Sequence, residues 1–177
     1  PGNHISTIAS GPTVGDPSTC AEASDVLDRF SIAVSPAIQR ILRSDQSETP
    51  APGDPALRFS RYEVVAGPGK ALEAASNRAQ HLGFNVINLG DQVEGLAAEI
   101  AKHHAHLIHT EKIFENNQRT LLLSGGEATV QITGAGSGGP NQEYLLALAI
   151  ELNGHENLFG IACDTDGIDG ATTAAGA

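Results

Sequence analysis

Gly134-Ala135-Gly136-Ser137-Gly138-Gly139 reads G-x-G-x-x-G and runs directly into Pro140, the first residue of an apolar stretch. Glycines at such a place let backbone N–H groups approach an anion, and a helix N-terminus beyond them adds positive potential. The same pattern also serves as a tight turn that lets a helix pack closely, so by itself it leaves both uses open. Ser124-Gly125-Gly126-Glu127 is a second loop of small residues, placed after Leu121-Leu122-Leu123. At the carboxyl end of a parallel strand it would stand where ligands of open α/β sheets bind, whereas as a hairpin turn it would only carry a surface glutamate. Asp164, Asp166 and Asp169 follow a further apolar run, with Gly167 and Gly170 allowing a sharp turn, and alternating carboxylates offer oxygen ligands to a divalent ion. An EF-hand loop does not fit, because the twelfth position from Asp164 is Ala175 and not a glutamate. His103 and His106 share a helical face, as do His106 and His109, while His104 falls on the apolar stripe; no cysteine or carboxylate completes a familiar ligand spacing, and a solvated face is the expectation. The sequence has no G-x-S-x-G elbow and no support for acyl-transfer hydrolysis.

The elements that must position these loops follow from punctuation and periodicity. Asp16 before Pro17 signals a helix start, and Ala23, Val26, Leu27 and Phe30 then mark one face of a helix over 16–30. A second helix is expected over 35–42 with Pro36 in its first turn, and 44–60 reads as an exposed connection rich in Pro, Asp, Ser and Glu. Strand, helix, strand, helix and strand are then expected over 62–66, 70–82, 84–89, 93–113 and 120–123, a βαβαβ order that implies a parallel sheet. Residues 129–133 alternate as a half-buried strand does, 140–152 form a helix apolar nearly all round and so expected between layers, and 158–163 form another strand.

Composition limits the function classes. With 10 Lys+Arg against 21 Asp+Glu among 177 residues the formal charge is −11, which excludes a general nucleic-acid binder that must neutralise phosphates. Hydrophobic residues make up 40%, enough for a core, while aromatics are only 4%, so packing rests on small aliphatic side chains. No apolar stretch has a membrane helix's length and no secretory leader is read, which gives the expectation of a cytoplasmic protein with no membrane partner. Cys20 and Cys163 have no metal-ligand spacing and read as idle thiols. The lack of methionine gives the expectation of an internal piece of a longer protein.

Taken together, the segments Ile8 to Thr13 with Asp16-Pro17-Ser18-Thr19, Ala71 to Gly83, Ser124 to Glu127, Gly138 to Glu143, and Asp164 to Gly170 with Ala174 to Ala177 resemble the type II glycerate kinases. These carry a MOFRL C-terminal domain and have also borne the label hydroxypyruvate reductase. The resemblance implies an α/β fold: part of a Rossmann-like three-layer parallel sheet over 1–118, followed by part of a smaller α/β domain over 119–177. It implies ATP-dependent phosphorylation of D-glycerate, with ATP and Mg2+, in a cleft between the two, and it allows a homodimer. The piece alone is expected to be inactive. Catalytic roles are expected for Glu127, Asp166 and Asp169, with Asp166 at the metal. Substrate and nucleotide are expected to meet Ser10, Gly11, Pro12 and Thr13, then Ser124, Gly125 and Gly126, then Gly136, Gly138, Gly139, Asn141, Gln142 and Glu143. Ser137 and Pro140 stand where the family usually carries basic residues. The rival readings are an NAD(P)H-dependent hydroxypyruvate reductase and a non-catalytic fragment.

Overall fold

The computed structural model of the protein describes residues 5–6, 13–110 and 118–177, so the expected Ser10, Gly11 and Pro12 lie outside the described residues. The chain divides into one compact unit that ends at Val65 and another that runs from Ala66 to Ala177.

In the first unit, helix α1 spans Cys20–Arg29 and α2 spans Pro36–Leu42. Helix α1 starts later than Asp16-Pro17 signals, because a capping box wins. The Thr19 hydroxyl accepts from Glu22 N–H and the Glu22 carboxylate accepts from Thr19 N–H. Asp16 is taken up one turn earlier, its carboxylate accepting from Ser18 N–H at 2.8 Å and from the Thr49 hydroxyl at 3.1 Å. Ser35 caps α2, and Pro36 occupies its first turn as expected.

The second unit holds α3 (Pro68–His81), β1 (Asn85–Asn88), β2 (Val93–Leu96), α4 (Ala97–Thr110), β3 (Thr120–Leu123), β4 (Gly126–Thr129) and α5 (Pro140–Leu152). It is mixed α/β, and its strands form two parallel pairs in place of one three-layer sheet. In β1 with β3, Asn85 stands beside Thr120 and Asn88 beside Leu123; in β2 with β4, Val93 stands beside Gly126. The two pairs are one parallel ladder broken by a bulge. Leu89 N–H reaches Leu123 C=O, Gly125 N–H reaches Gly90 C=O, and Val93 N–H reaches Gly125 C=O, so 89–92 lie opposite 124–125. Gly126 permits the crossing: its φ is +155°, and a Cβ there would run into the Val93 carbonyl.

Three expected strands are not formed among the described residues. Residues 62–65 are in no strand, the ladder of β4 ends at Thr129, and 158–163 contributes only the antiparallel bridge from Cys163 to Gly176. The branched and aromatic residues that prompted those readings lie uncovered: Val65, Ile132, Phe159 and Ile161 are all at least four-fifths exposed. Strand propensity records fit to a half-buried pleated surface, and that surface is not provided here. Helix α5 forms over the expected residues but is not covered all round, since Leu148 is buried while Leu146 and Ile150 are exposed.

The core sits between α4 and α5, where Ala101 and Ala105 meet Leu148 under Tyr144, Leu145, Ala147 and Leu152. Alanines on α4 let the two helix backbones come close. Beside them His104 is buried, with Nδ1 at 2.8 Å from the Tyr144 hydroxyl and the rings edge to face. Burial, and then the neighbouring His103, push the His104 pKa below its ordinary value, so the folded protein holds it neutral. The titratable neighbours lining the pocket at its ring are Glu94, Glu99 and His103. An unfolded chain takes up this proton near pH ~6.5 and the folded chain only at lower pH, so stability from this group falls as pH drops below about 6.5. The melting temperature is therefore expected to decline between pH 7.5 and 5.5, and less steeply in His104→Gln. Parallel profiles for the two proteins would remove His104 as the cause.

Candidate functional site

The first turn of α5 brings together Gly139, Asn141, Gln142 and Asp169. A helix leaves the N–H groups of its N-cap and first three residues without intrahelical acceptors, and here those of the first three, Pro140, Asn141 and Gln142, can be accounted for. Pro140 has none to offer. Asn141 N–H donates to Asp169 Oδ1 at 2.9 Å and Gln142 N–H donates to Asp169 Oδ2 at 3.0 Å. Glu143 N–H returns to Gly139 C=O at 3.0 Å. The Asn141 side-chain amide adds a further bond to Asp169 Oδ1 at 3.2 Å and also reaches Asp164 Oδ2 at 3.3 Å. Asp169 is completely buried. Burial alone would raise its pKa, but the N–H groups of Asn141 and Gln142 and their side chains outweigh it and hold the carboxyl below its ordinary value.

An internal carboxylate thus fills the anion position that the glycine pattern assigned to an external ligand. Asp169, expected to touch metal or glycerate, has both oxygens committed to α5. Packing is equally tight: a Cβ on Gly139 would collide with the Asp169 carboxyl, and one on Gly170 would sit 2.5 Å from the Gly138 carbonyl oxygen. These glycines are structural. The G-G-P-N-Q-E and D-G-I-D-G segments, distant in sequence, form one hydrogen-bonded assembly.

The rest of the loop is different. Gly134, Gly136 and Gly138 have ordinary negative φ, and a Cβ on any of them would meet nothing within 4 Å. Residues 131–137 are exposed. Among the described residues no acceptor takes the N–H groups of 134–139.

The loop from Ser124 to Glu127 is neither a hairpin nor a free loop at a strand end; it forms the short side of the ladder's bulge. Gly125 lies under Leu72 and Asp91, and Gly126 is required by Val93. Ser124 is exposed, and so is Glu127, whose neighbour across the parallel pair is Glu94. Two carboxylates on one face at this spacing repel one another. This juxtaposition was not visible in the sequence, because Val93 and Leu96 fit a helical stripe.

Asp166 is exposed, with one oxygen accepting from Ile168 N–H at 3.0 Å. Among the described residues no three His, Cys, Asp or Glu side chains are grouped so as to hold a metal ion, which covers the histidines of α4 as well. Asp164 and Asp166 nevertheless keep carboxylate oxygens beyond the bonds above, and Mg2+ commonly takes only one or two protein carboxylates beside phosphate and water. Thr13 is exposed and belongs to the other unit. Among the described residues no helix is long and apolar enough to cross a membrane.

The MOFRL family matches residues 120–177, and a domain of unknown function, DUF4147, matches residues 1–43. A protein of Agrobacterium vitis named "Putative hydroxypyruvate reductase" is 41% identical over 181 residues, covering 100% of this chain and 40% of that protein. A glycerate 2-kinase of Pyrococcus horikoshii is 34% identical, covering 99% of this chain and 41% of that one. The crystal structure of a glycerate kinase from Thermotoga maritima superposes with a TM-score of 0.75 at 32% identity, over 98% of this chain and 41% of that one. The chain therefore spans about two fifths of the length of the relatives it matches, and it belongs to the glycerate kinase family built from DUF4147 and MOFRL domains.

Proposed function

We propose that this chain forms part of a kinase that transfers the γ-phosphoryl group of ATP to a hydroxyl of D-glycerate. The observation that carries the reading is the loop of residues 134–139. Its N–H groups have no acceptor among the described residues, and three of its glycines are required neither by φ nor by packing. Glycine in such a place serves the approach of something from outside, and a run of unspent N–H donors suits the oxygens of a phosphate or carboxylate.

The charge pattern says what else is needed. Residues 120–177 contain Glu127, Glu143, Glu151, Glu156, Asp164, Asp166 and Asp169 and no lysine or arginine. Neutralisation of the transferring group must come from elsewhere in the protein and from Mg2+, which would supply positive charge against the phosphate oxygens. Asp166, with Asp164, is the pair suited to hold that ion. Glu127, which is exposed, takes in this reading the role of orienting the substrate hydroxyl or accepting its proton, and Asp169 acts through α5 without touching ligand. Ser124 to Gly126 face the substrate in this reading, with Asn141 to Glu143 behind the loop.

A nicotinamide-dependent reductase is less well supported. The dinucleotide fingerprint needs a strand running straight into its glycines, and here the strand ends at Thr129 with Ile132 exposed before the loop. The test is a coupled assay on the complete protein with D-glycerate, ATP and Mg2+, beside hydroxypyruvate with NADH. ADP formation that depends on glycerate is the expected result. NADH oxidation by hydroxypyruvate without any ADP formation would overturn the proposal.

A further inference from the structure

We infer that Thr172 is a positioning residue for the glycine-loop site, an inference that rests on the functional reading above. Its hydroxyl is the hub of the turn that carries Asp169. Oγ1 donates its one proton between Asp169 C=O at 2.8 Å and Ala174 C=O at 3.2 Å. It accepts from Ala174 N–H at 3.3 Å and from the Gln142 side-chain amide at 3.1 Å. A hydroxyl has one donor and two lone pairs, so this one is fully used.

The consequence is a closed circuit. Asp169 N–H donates to Ala174 C=O at 2.7 Å, which pins the turn, and the Asp169 carboxylate holds Asn141 and Gln142 N–H. Gln142 then reaches back to Thr172 with its side chain. The turn is therefore tied to the first turn of α5 through two separate links, a carboxylate and a hydroxyl. Asp164, bonded to the Asn141 amide, is carried by the same assembly. What the circuit fixes is the placement of the Asp164–Asp166 segment against the loop of 134–139. A methyl in place of the hydroxyl keeps the volume and removes every bond the hydroxyl makes, leaving the Ala174 N–H and the Gln142 amide without this acceptor, while the backbone bond from Thr172 N–H to Asp169 C=O remains. Serine keeps the hydroxyl.

The experiment compares Thr172→Val and Thr172→Ser in the complete protein by two readouts. In hydrogen exchange, the N–H groups of Asn141 and Gln142 should exchange at least tenfold faster in Thr172→Val and within twofold of wild type in Thr172→Ser. In steady-state kinetics with D-glycerate and ATP-Mg2+, Thr172→Val should lose at least tenfold in kcat while its melting temperature moves by only a few degrees, and Thr172→Ser should restore the rate. Unchanged exchange in Thr172→Val, equal kinetic loss in both variants, or wild-type kinetics in Thr172→Val would each overturn the assignment. A wild-type protein that turns over no D-glycerate would overturn the kinase reading instead, and the exchange readout alone would then decide on Thr172.

Discussion

Replacing Asp169 by alanine should cost the 66–177 unit on the order of 3 kcal/mol and lower its melting temperature by roughly 10 °C. The cost is large because the deleted group is buried and its partners stay behind. Two helix-start N–H groups and the Asn141 side chain would lose their acceptor in a place water reaches poorly. Asp169→Asn should fall between wild type and alanine, since it keeps one acceptor oxygen and turns an NH2 toward an N–H group. The charge leaves a second signature. Although burial opposes it, the hydrogen bonds from Asn141 and Gln142 hold the carboxyl below its ordinary value. The stability it contributes is therefore complete above the unfolded pKa of ~3.9 and is lost as pH falls from there through the lower folded value. Wild type should lose more stability on that acid limb than Asp169→Asn, in a window separate from the one set by His104. Equal melting temperatures for wild type and Asp169→Ala at pH 7 would show that the carboxylate does not cap α5.

This cap also marks the boundary of what could be read from the sequence. Local signals were enough for β3, three leucines closed by a serine, and for α5, where Pro140 and Leu152 bound the helix as expected. The α/β order was legible because helix and strand periods alternate along 68–123. Over 93–96 the sequence signals helix, because Val93, Leu96, Ala97 and Ile100 fall at helical spacing. The ladder with β4 claims 93–96 as a strand, and that pairing spans more than thirty residues, beyond any local window. At α1 two start signals competed, and the one with a reciprocal partner, Thr19 with Glu22, prevailed over Asp16-Pro17. The site was legible as a set of segments, not as an arrangement. Asp169 and the first turn of α5 are distant along the chain, so composition and spacing make Asp169 look like a ligand-binding acid when its oxygens are already taken.

Gly136 and Gly139 are equivalent in the G-x-G-x-x-G pattern and should respond to substitution in opposite ways. A Cβ on Gly139 would collide with the Asp169 carboxyl, which cannot retreat without releasing α5. Gly139→Ala should therefore destabilise the unit, by an amount comparable to the loss of Asp169, and the two substitutions together should cost less than their sum. Gly136 has ordinary φ and open space around its Cβ position, so Gly136→Val should fold with a melting temperature near that of wild type. If the loop meets the oxygens of ATP or glycerate through its N–H groups, the branched side chain stands where the ligand must approach. Turnover in the complete protein should then fall at least tenfold, equivalent to about 1.4 kcal/mol of transition-state stabilisation, without loss of fold. Thermal melts and steady-state kinetics on both variants separate the two effects. A stable Gly136→Val protein with wild-type kinetics would mean that nothing approaches the loop at this position, and the phosphoryl group would have to be held elsewhere.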